Sequence, residues 1–471
     1  MFDVLDAQTR LSRHQLMLAY VAAWAVCLEF LDYFLVGFIL TFVSGPWHLS
    51  FGQSALVLLS SGIGAIIGAL YFGRLADRIG RRRVFLITIA VFTLATGAMV
   101  LTPGDPAIGW AYLTAMRVVV GFGAGGLYVV DLPMVQEFLP TAKRGRVTGM
   151  VTSSVPLGFL LGSLLVWLLS GAIGWRGILG VATVLGLTVF VIRLRIPESP
   201  RYLVRQGDPH GARRSVAWAL AVDPETLPLD APPPVETRRA TLRELFAYPR
   251  SFWLSTVSNL GIQTGYYGLT LWTPTLLVLV LGADSSRSGF LMVFVTLGAL
   301  AGRFGLSYAA ERYGRRLTGA VAGFAAAVFV LAAAVSGTSV SVMFLPLMIV
   351  AYFFGEGGFA IVGPYSGEVW PSRIRATGMG FAYGIGGLGK IIGPLGLALI
   401  IGAGDLVSPA ATTTDLVPGF GYFAAWYVLC ALMFVLIGFE TRGRSIEQID
   451  HAIESRRRGA PVPSAVRDPR P

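Results

Sequence analysis

Glu29, Asp32, Arg117, Asp131, Glu356 and Lys390 all lie inside long apolar runs. A charge left unpaired in such surroundings costs a few kcal/mol or more, so each of these residues marks a candidate site. Two kinds of chemistry are open to them. A carboxyl group in apolar surroundings can take up and release a proton, and a fixed cation can pair with that carboxylate or with a bound anion. Glu29 and Asp32 are three residues apart and share one helix face. Histidine does not compete for proton carriage, because His14, His48, His210 and His451 all read as tails or loops. The carrier is therefore expected among Asp32, Glu29, Asp131 and Glu356.

Depth can be estimated by counting turns. Asp32 lies about 17 residues from the start of its apolar run, roughly 25 Å along a helix. Arg117 lies about 20 residues before Glu137 at the end of its own run, roughly 30 Å. The two sit at similar depth and are expected to pair. Lys390, in Gly386-Gly387-Leu388-Gly389-Lys390-Ile391-Ile392-Gly393-Pro394, needs either an internal acid such as Glu356 or the carboxylate of a bound molecule. A further run supplies Asn259, Gln263, Thr264, Tyr266, Tyr267 and Trp272. Asn259, Gln263 and Tyr267 are spaced by four and line one face, and aromatic walls with a few hydrogen-bonding groups suit a small molecule.

The elements that position these groups are membrane helices. The chain of 471 residues is 54% hydrophobic and only 13% charged, with a mean hydropathy of +0.68, whereas soluble domains are about 25% charged. At about 20 apolar residues per crossing there are roughly twelve spans. They fall near 16–41, 54–73, 84–101, 109–138, 147–170, 175–195, 252–281, 288–309, 317–336, 341–369, 377–402 and 419–439. The net charge of +11 does not point to nucleic acid. Its loop arginines fall in alternate gaps, as at Arg78, Arg81, Arg82 and Arg83, with Arg176 and Arg287 at span edges as the exceptions, while the gaps near 44–52, 102–108, 337–340 and 403–418 hold no Lys or Arg. This positive-inside pattern places both termini in the cytoplasm. Cys27 and Cys430 lie in apolar runs and read as buried thiols. Asp3 and Asp6 precede the first basic residue, and no signal peptide is read.

The pattern repeats once. Gly73-Arg74-Leu75-Ala76-Asp77-Arg78-Ile79-Gly80-Arg81-Arg82-Arg83 has a degraded copy at Ala310-Glu311-Arg312-Tyr313-Gly314-Arg315-Arg316. Glu137-Phe138-Leu139-Pro140 with Arg144 matches Glu368-Val369-Trp370-Pro371 with Arg375 at the same spacing. The expected fold is an all-α membrane protein of twelve transmembrane helices in two pseudo-symmetric six-helix bundles, 1–195 and 251–440. A linker with short helices, 196–250, joins them, and a tail, 441–471, follows. The linker contains an amphipathic stretch from Gly211 to Leu220 and a Pro-rich piece, Ala231-Pro232-Pro233-Pro234, and the tail after Arg456 reads as disordered. Asp77, Arg78, Gly80 and Arg81, with Glu137, Arg144, Glu368 and Arg375, form a candidate cytoplasmic gate. In it Asp77 accepts from helix-end N–H groups and from an arginine, and Glu137 and Arg144, with Glu368 and Arg375 opposite, are expected to form ion pairs between helices. The small residues Gly121-Phe122-Gly123-Ala124-Gly125-Gly126 allow close helix approach.

These features together resemble the major facilitator superfamily of secondary transporters. The linker start Pro197-Glu198-Ser199-Pro200-Arg201-Tyr202-Leu203 and the segment Glu440-Thr441-Arg442-Gly443 are similar to the sugar-porter and organic-ion branch, although Phe439 stands where that branch usually has Pro. The first span, Glu29-Phe30-Leu31-Asp32, resembles the Glu-x-x-Asp signature of metabolite:proton symporters of organic acids. The resemblance implies that Asp32 and Arg117, with Glu29, couple protonation to transport, and that substrate binds near the midplane between the two halves. The span near 252–281 lacks the Gln-Gln pair of sugar porters, which speaks against a sugar.

The expected function is proton-coupled symport of a small organic acid or related metabolite across the cytoplasmic membrane of a bacterium. A proton-coupled sugar importer and a proton-driven exporter are the alternatives. The Gly-Pro-x-x-Gly-Gly pattern of exporters is missing from Ser154-Val155-Pro156-Leu157-Gly158. A non-transporting sensor on the same fold would be favoured by a long tail, and this tail is short. No metal cluster, catalytic triad or nucleotide loop is read, so an enzyme is not expected. The expected partners are a small-molecule substrate, protons and the lipid bilayer. No cofactor is expected beyond the coupling proton, no nucleic acid, and a monomer.

Overall fold

The computed structural model describes residues 1–229, 242–339, 341–444 and 446–457. The Pro-rich piece Ala231–Pro234 and the end of the tail lie outside the described residues. Among the described residues the long elements are all helices, and the β contact is an isolated antiparallel bridge between Ser50 and Leu406.

Eleven helical segments are long and apolar enough to cross a bilayer. Thr141–Arg193 has 53 residues, more than twice the ~20 that one crossing needs. It breaks at Gly174, with φ 63° and ψ −178°, and so supplies spans five and six of twelve. Spans one to four are Arg13–Val43, Phe51–Ile79, Arg81–Met99 and Pro106–Glu137. Spans seven to ten are Pro249–Leu281, Ser285–Tyr313, Arg315–Ser339 and Phe344–Glu368. Span eleven, Arg375–Ile401, is interrupted between Gly386 and Gly389, and span twelve is Pro409–Leu436. Most helices overrun the apolar runs, because hydrocarbon thickness limits the apolar stretch and not the helix itself. His14 consequently sits in the first turn of span one, stacked on Trp218, and His210 and His451 lie on short helices rather than in tails or loops.

The chain divides into two compact units. The first is Met1–Ile39 with Ser60–Thr237; the second is Leu40–Leu59 with Arg238–Pro471. The tip of the first helical hairpin thus belongs with the second unit. There the Phe51 N–H donates to the Asp405 carbonyl (2.9 Å), the Gly52 N–H to Ala403 (2.9 Å) and the Val407 N–H to Leu49 (3.1 Å). The Phe51 ring, fully buried, packs 5.7 Å from that of Trp272, and the Thr41 hydroxyl donates to Ser285 at 2.8 Å.

Each unit builds its basic turn in the same way. Gly80 joins spans two and three with φ 99°, and Gly314 joins spans eight and nine with φ 97°, a backbone region that glycine enters without strain. The first N–H groups of the following helix have no partner within that helix and favour an anion. Arg81 and Arg82 each donate theirs to Glu198 at 3.0 Å. Arg315 and Arg316 donate theirs to Glu440 at 3.0 and 3.2 Å. The linker helix Pro209–Leu220, capped by Asp208, buries Ala212, Val216 and Ala217 with Met1 and Leu5 of the N-terminal helix Phe2–Asp6. Its apolar face is therefore covered by the protein's own N-terminus.

Candidate functional site

In the first unit, spans two and four touch backbone to backbone. A Cβ added at Gly64 would lie 2.0 Å from the Val118 carbonyl, and one at Gly121 would lie 2.0 Å from that of Ser61. This contact sets Ser61 beside Arg117. The Arg117 guanidinium reaches Asp32 Oδ2 at 2.6 Å through Nη1 and the Ser61 hydroxyl at 3.1 Å through Nη2. Thr96, from span three, donates to Asp32 Oδ1 at 2.9 Å. Asp32 and Arg117 are only 2% and 1% exposed, so the pair is desolvated and depends on these partners. Removing one member of such a pair costs roughly 3–5 kcal/mol. A proton on Asp32 would cancel its charge and leave Arg117 with the Ser61 hydroxyl and the Asp32 backbone carbonyl, 3.4 Å away.

Glu29 is buried one turn away on span one. It shares a cleft with Asp131 of span four, whose other walls are Ala25, Val26, Leu127 and Leu132. Asp131 is 2% exposed and its carboxylate lies 4.0 Å from Arg193 Nη2 of span six.

In the second unit, Glu356 is 1% exposed and forms an ion pair with Arg303 of span eight, with Tyr266 alongside. The sequence offers Lys390 as its internal partner; the structure gives Arg303. Lys390 instead opens the second piece of span eleven, half-buried, with Nζ 5.0 Å from the centre of the Tyr267 ring, within cation–π range. Gln263 is fully buried and neither atom of its amide has a hydrogen-bond partner within the described protein. A Cβ at Gly386 would lie 2.2 Å from the Gln263 amide nitrogen and 3.0 Å from the Asn259 Cβ, so both residues face span eleven. The Asn259 amide donates to the Ser255 carbonyl (2.8 Å) and to Ser366. The Trp272 indole donates to the Pro394 carbonyl at 3.0 Å.

The candidate gate residues pair differently from the sequence expectation. Glu137 binds Arg81 at 2.8 Å and accepts from Ser199; Glu368 binds Arg315 at 2.9 Å and accepts from Thr441. Arg144 folds back onto the Leu139 carbonyl and lies 3.6 Å from Asp6, and Arg375 folds back onto Trp370 and lies 3.5 Å from Asp450. The correction has a simple cause. Each arginine lies five residues beyond a loop carbonyl, Leu139 or Trp370, and turns back to it, which leaves the glutamate to the arginine after the glycine turn. Asp77 and Arg78 are exposed at the end of span two, and the Arg78 carbonyl accepts from the Tyr202 hydroxyl at 3.0 Å. The N-terminus of span three is capped by Glu198.

Arg303, Arg193, Ser61 and Thr96 were not singled out from the sequence. Arg303 had a signal, since it sits in the apolar run of span eight by the same rule that marks Lys390. Ser61 and Thr96 had none, because single hydroxyls are common in membrane helices. Among the described residues no group of three or more His, Cys, Asp or Glu side chains is arranged to hold a metal ion.

Known proteins match most of the chain. The family model described as Major Facilitator Superfamily matches residues 22–394. The niacin transporter NiaP of Acinetobacter baylyi is 28% identical over 439 residues, covering 91% of this chain and 96% of that protein. The cis,cis-muconate transport protein of the same organism is 24% identical, covering 91% and 95%. A partially occluded, inward-open structure of the xylose transporter XylE from E. coli superposes with a TM-score of 0.72 at 15% identity, over 92% of this chain and 100% of that one.

Proposed function

This chain belongs to the Major Facilitator Superfamily and is a multi-pass membrane transporter, not an enzyme, and from that premise we propose that it carries out proton-coupled symport of a small organic acid. The observation that carries the reading is the buried Asp32–Arg117 pair, bonded at 2.6 Å and closed off by Thr96 and Ser61. A proton bound to Asp32 from outside neutralises that residue and releases Arg117. The proton leaves on the face that carries the arginine turns, which is the cytoplasmic face by the positive-inside pattern. Each proton moving inward contributes about 2.3 kcal/mol per 100 mV of membrane potential, and alternating access converts that energy into accumulation. The bacterial cytoplasmic membrane is the proposed location, with both termini inside.

The choice of an organic acid rests on charge. Lys390 and the Tyr267 ring together offer a cation beside an aromatic wall, a combination suited to an aromatic or unsaturated carboxylate. Niacin and cis,cis-muconate, the cargoes named for the two relatives, are both of this kind. A sugar is the second reading. It is favoured by the buried Gln263 amide, which lacks hydrogen-bond partners within the described protein. Uptake of nicotinate, cis,cis-muconate and xylose into proteoliposomes, with and without an inward proton gradient, tests the reading. Gradient-driven accumulation of an acid supports it. Accumulation of xylose alone would replace it with the second reading, and accumulation of none would remove both.

A further inference from the structure

A proton that neutralises Asp32 must still reach the basic face, and the same unit holds two more buried carboxyl groups along that direction. Glu29 is three residues nearer the start of span one, about 4.5 Å along the helix axis. Asp131 lies fourteen residues beyond Arg117 on span four, about 21 Å along that helix toward the arginine turns. Glu29 and Asp131 line one cleft, walled by Ala25, Val26, Leu127 and Leu132, with room for about one ordered water. Asp131 is 2% exposed, and neither of its carboxylate oxygens has a hydrogen-bond partner among the described residues. Such groups are rare in folded proteins and call for an explanation.

The charged groups around Asp131 are Glu29 of span one across the cleft and Arg193 of span six, whose Nη2 is 4.0 Å away. Arg193 has Arg82 and Glu198 as further charged neighbours. Its guanidinium lies 4.2 Å over the Phe85 ring and contacts the Met134 sulfur. Arg193 is itself buried, its Nε and Nη1 have no hydrogen-bond partner among the described residues, and at 4.0 Å it stands close enough to approach the carboxylate when Asp131 is charged.

We propose that Glu29 and Asp131 form a proton exit path from Asp32 to the basic face, with Asp131 as the release site. The proton leaves the Asp32 carboxyl for Glu29, crosses the cleft through water to Asp131, and departs to the cytoplasm. Each carboxyl returns to carboxylate as it passes the proton on, and the charge left on Asp131 draws in Arg193. This path rests on the symport reading above and extends it with a route that the Asp32–Arg117 pair alone does not supply.

The test compares Asp131→Asn with Asp32→Asn in proteoliposomes, using nicotinate or cis,cis-muconate, whichever the wild-type protein accumulates. Two readouts are taken: gradient-driven accumulation, and counterflow, which needs no net proton movement. The path predicts that Asp131→Asn loses accumulation while keeping wild-type counterflow, and that Asp131→Glu restores accumulation with an altered dependence on lumenal pH. If Asp32→Asn is uncoupled but Asp131→Asn accumulates like the wild type, the path is wrong and the symport reading stands. If Asp131→Asn loses counterflow as well, Asp131→Glu decides: a pH profile unchanged from wild type, or counterflow that stays lost, makes Asp131 structural and overturns the path. If Asp32→Asn still accumulates against the gradient, or the wild type accumulates neither acid, the symport reading falls and the path falls with it.

Discussion

Asp32 and Arg117 meet because each was placed at a similar depth by the length of helix below it, and this much is legible in the sequence. Turn counting on spans one and four needs only the rise of a helix and the two run boundaries, and the pair closes at 2.6 Å. The partner of Glu356 was not legible by the same reasoning. Arg303 competes with Lys390 for the one carboxylate, and which cation wins depends on helix rotation, which a depth estimate does not contain. Lys390 lies over Tyr267 instead, where its contribution can be read kinetically. If the ammonium holds a substrate carboxylate, Lys390→Ala removes a charged hydrogen bond that contributes about 1.5–3 kcal/mol. KM for the transported acid should then rise about tenfold or more with kcat little changed, and initial-rate uptake over a range of concentrations reads this directly. A fall in kcat at constant KM would assign Lys390 to the conformational cycle and not to binding.

The glycine turns show how an element is finished by residues far away in sequence. Gly80 and the arginines after it mark a tight basic turn in the sequence, and Gly80 forms it with φ 99°. The carboxylate that caps the next helix, Glu198, is 117 residues distant from Arg81, and in the second unit Glu440 is 125 residues distant from Arg315. In the sequence, Glu198-Ser199 and Glu440-Thr441 belong to the two segments that resemble a branch of transporters. In the structure they are the same device built twice: a glutamate on two helix-end N–H groups, followed by a hydroxyl on the glutamate that ends span four or span ten. Loss of a helix cap costs about 0.5–2 kcal/mol. Glu198→Ala and Glu440→Ala should each lower the unfolding temperature of the purified protein by a few degrees, measured by thermal shift in detergent. An unchanged midpoint in both would mean that neither carboxylate stabilises its turn.

At the scale of the whole molecule, the twelve crossings and the two similar halves follow from the runs of apolar residues and the repeated turn, and the fold was legible to that extent. The division into units was not, because Leu40–Leu59 packs with the second unit through backbone hydrogen bonds to 403–407. Backbone pairing leaves no side-chain signature, and nothing in the sequence singles out 44–52 and 403–418 as partners among the four gaps without Lys or Arg. A Cβ at Gly52 would lie 2.7 Å from the Ala403 carbonyl, so Gly52→Val should open the bridge and raise hydrogen exchange at 49–53 and 403–407; protection equal to wild type would show that the strap tolerates the side chain. The proposed symport depends on one buried ion pair, Asp32–Arg117, acting as the coupling site. Its most direct measurement is transport of nicotinate or cis,cis-muconate by Asp32→Asn in proteoliposomes, comparing accumulation under an inward proton gradient with counterflow at equal pH. Coupling through this pair predicts accumulation abolished with counterflow retained, while a variant that still concentrates the acid when the gradient is imposed would contradict it.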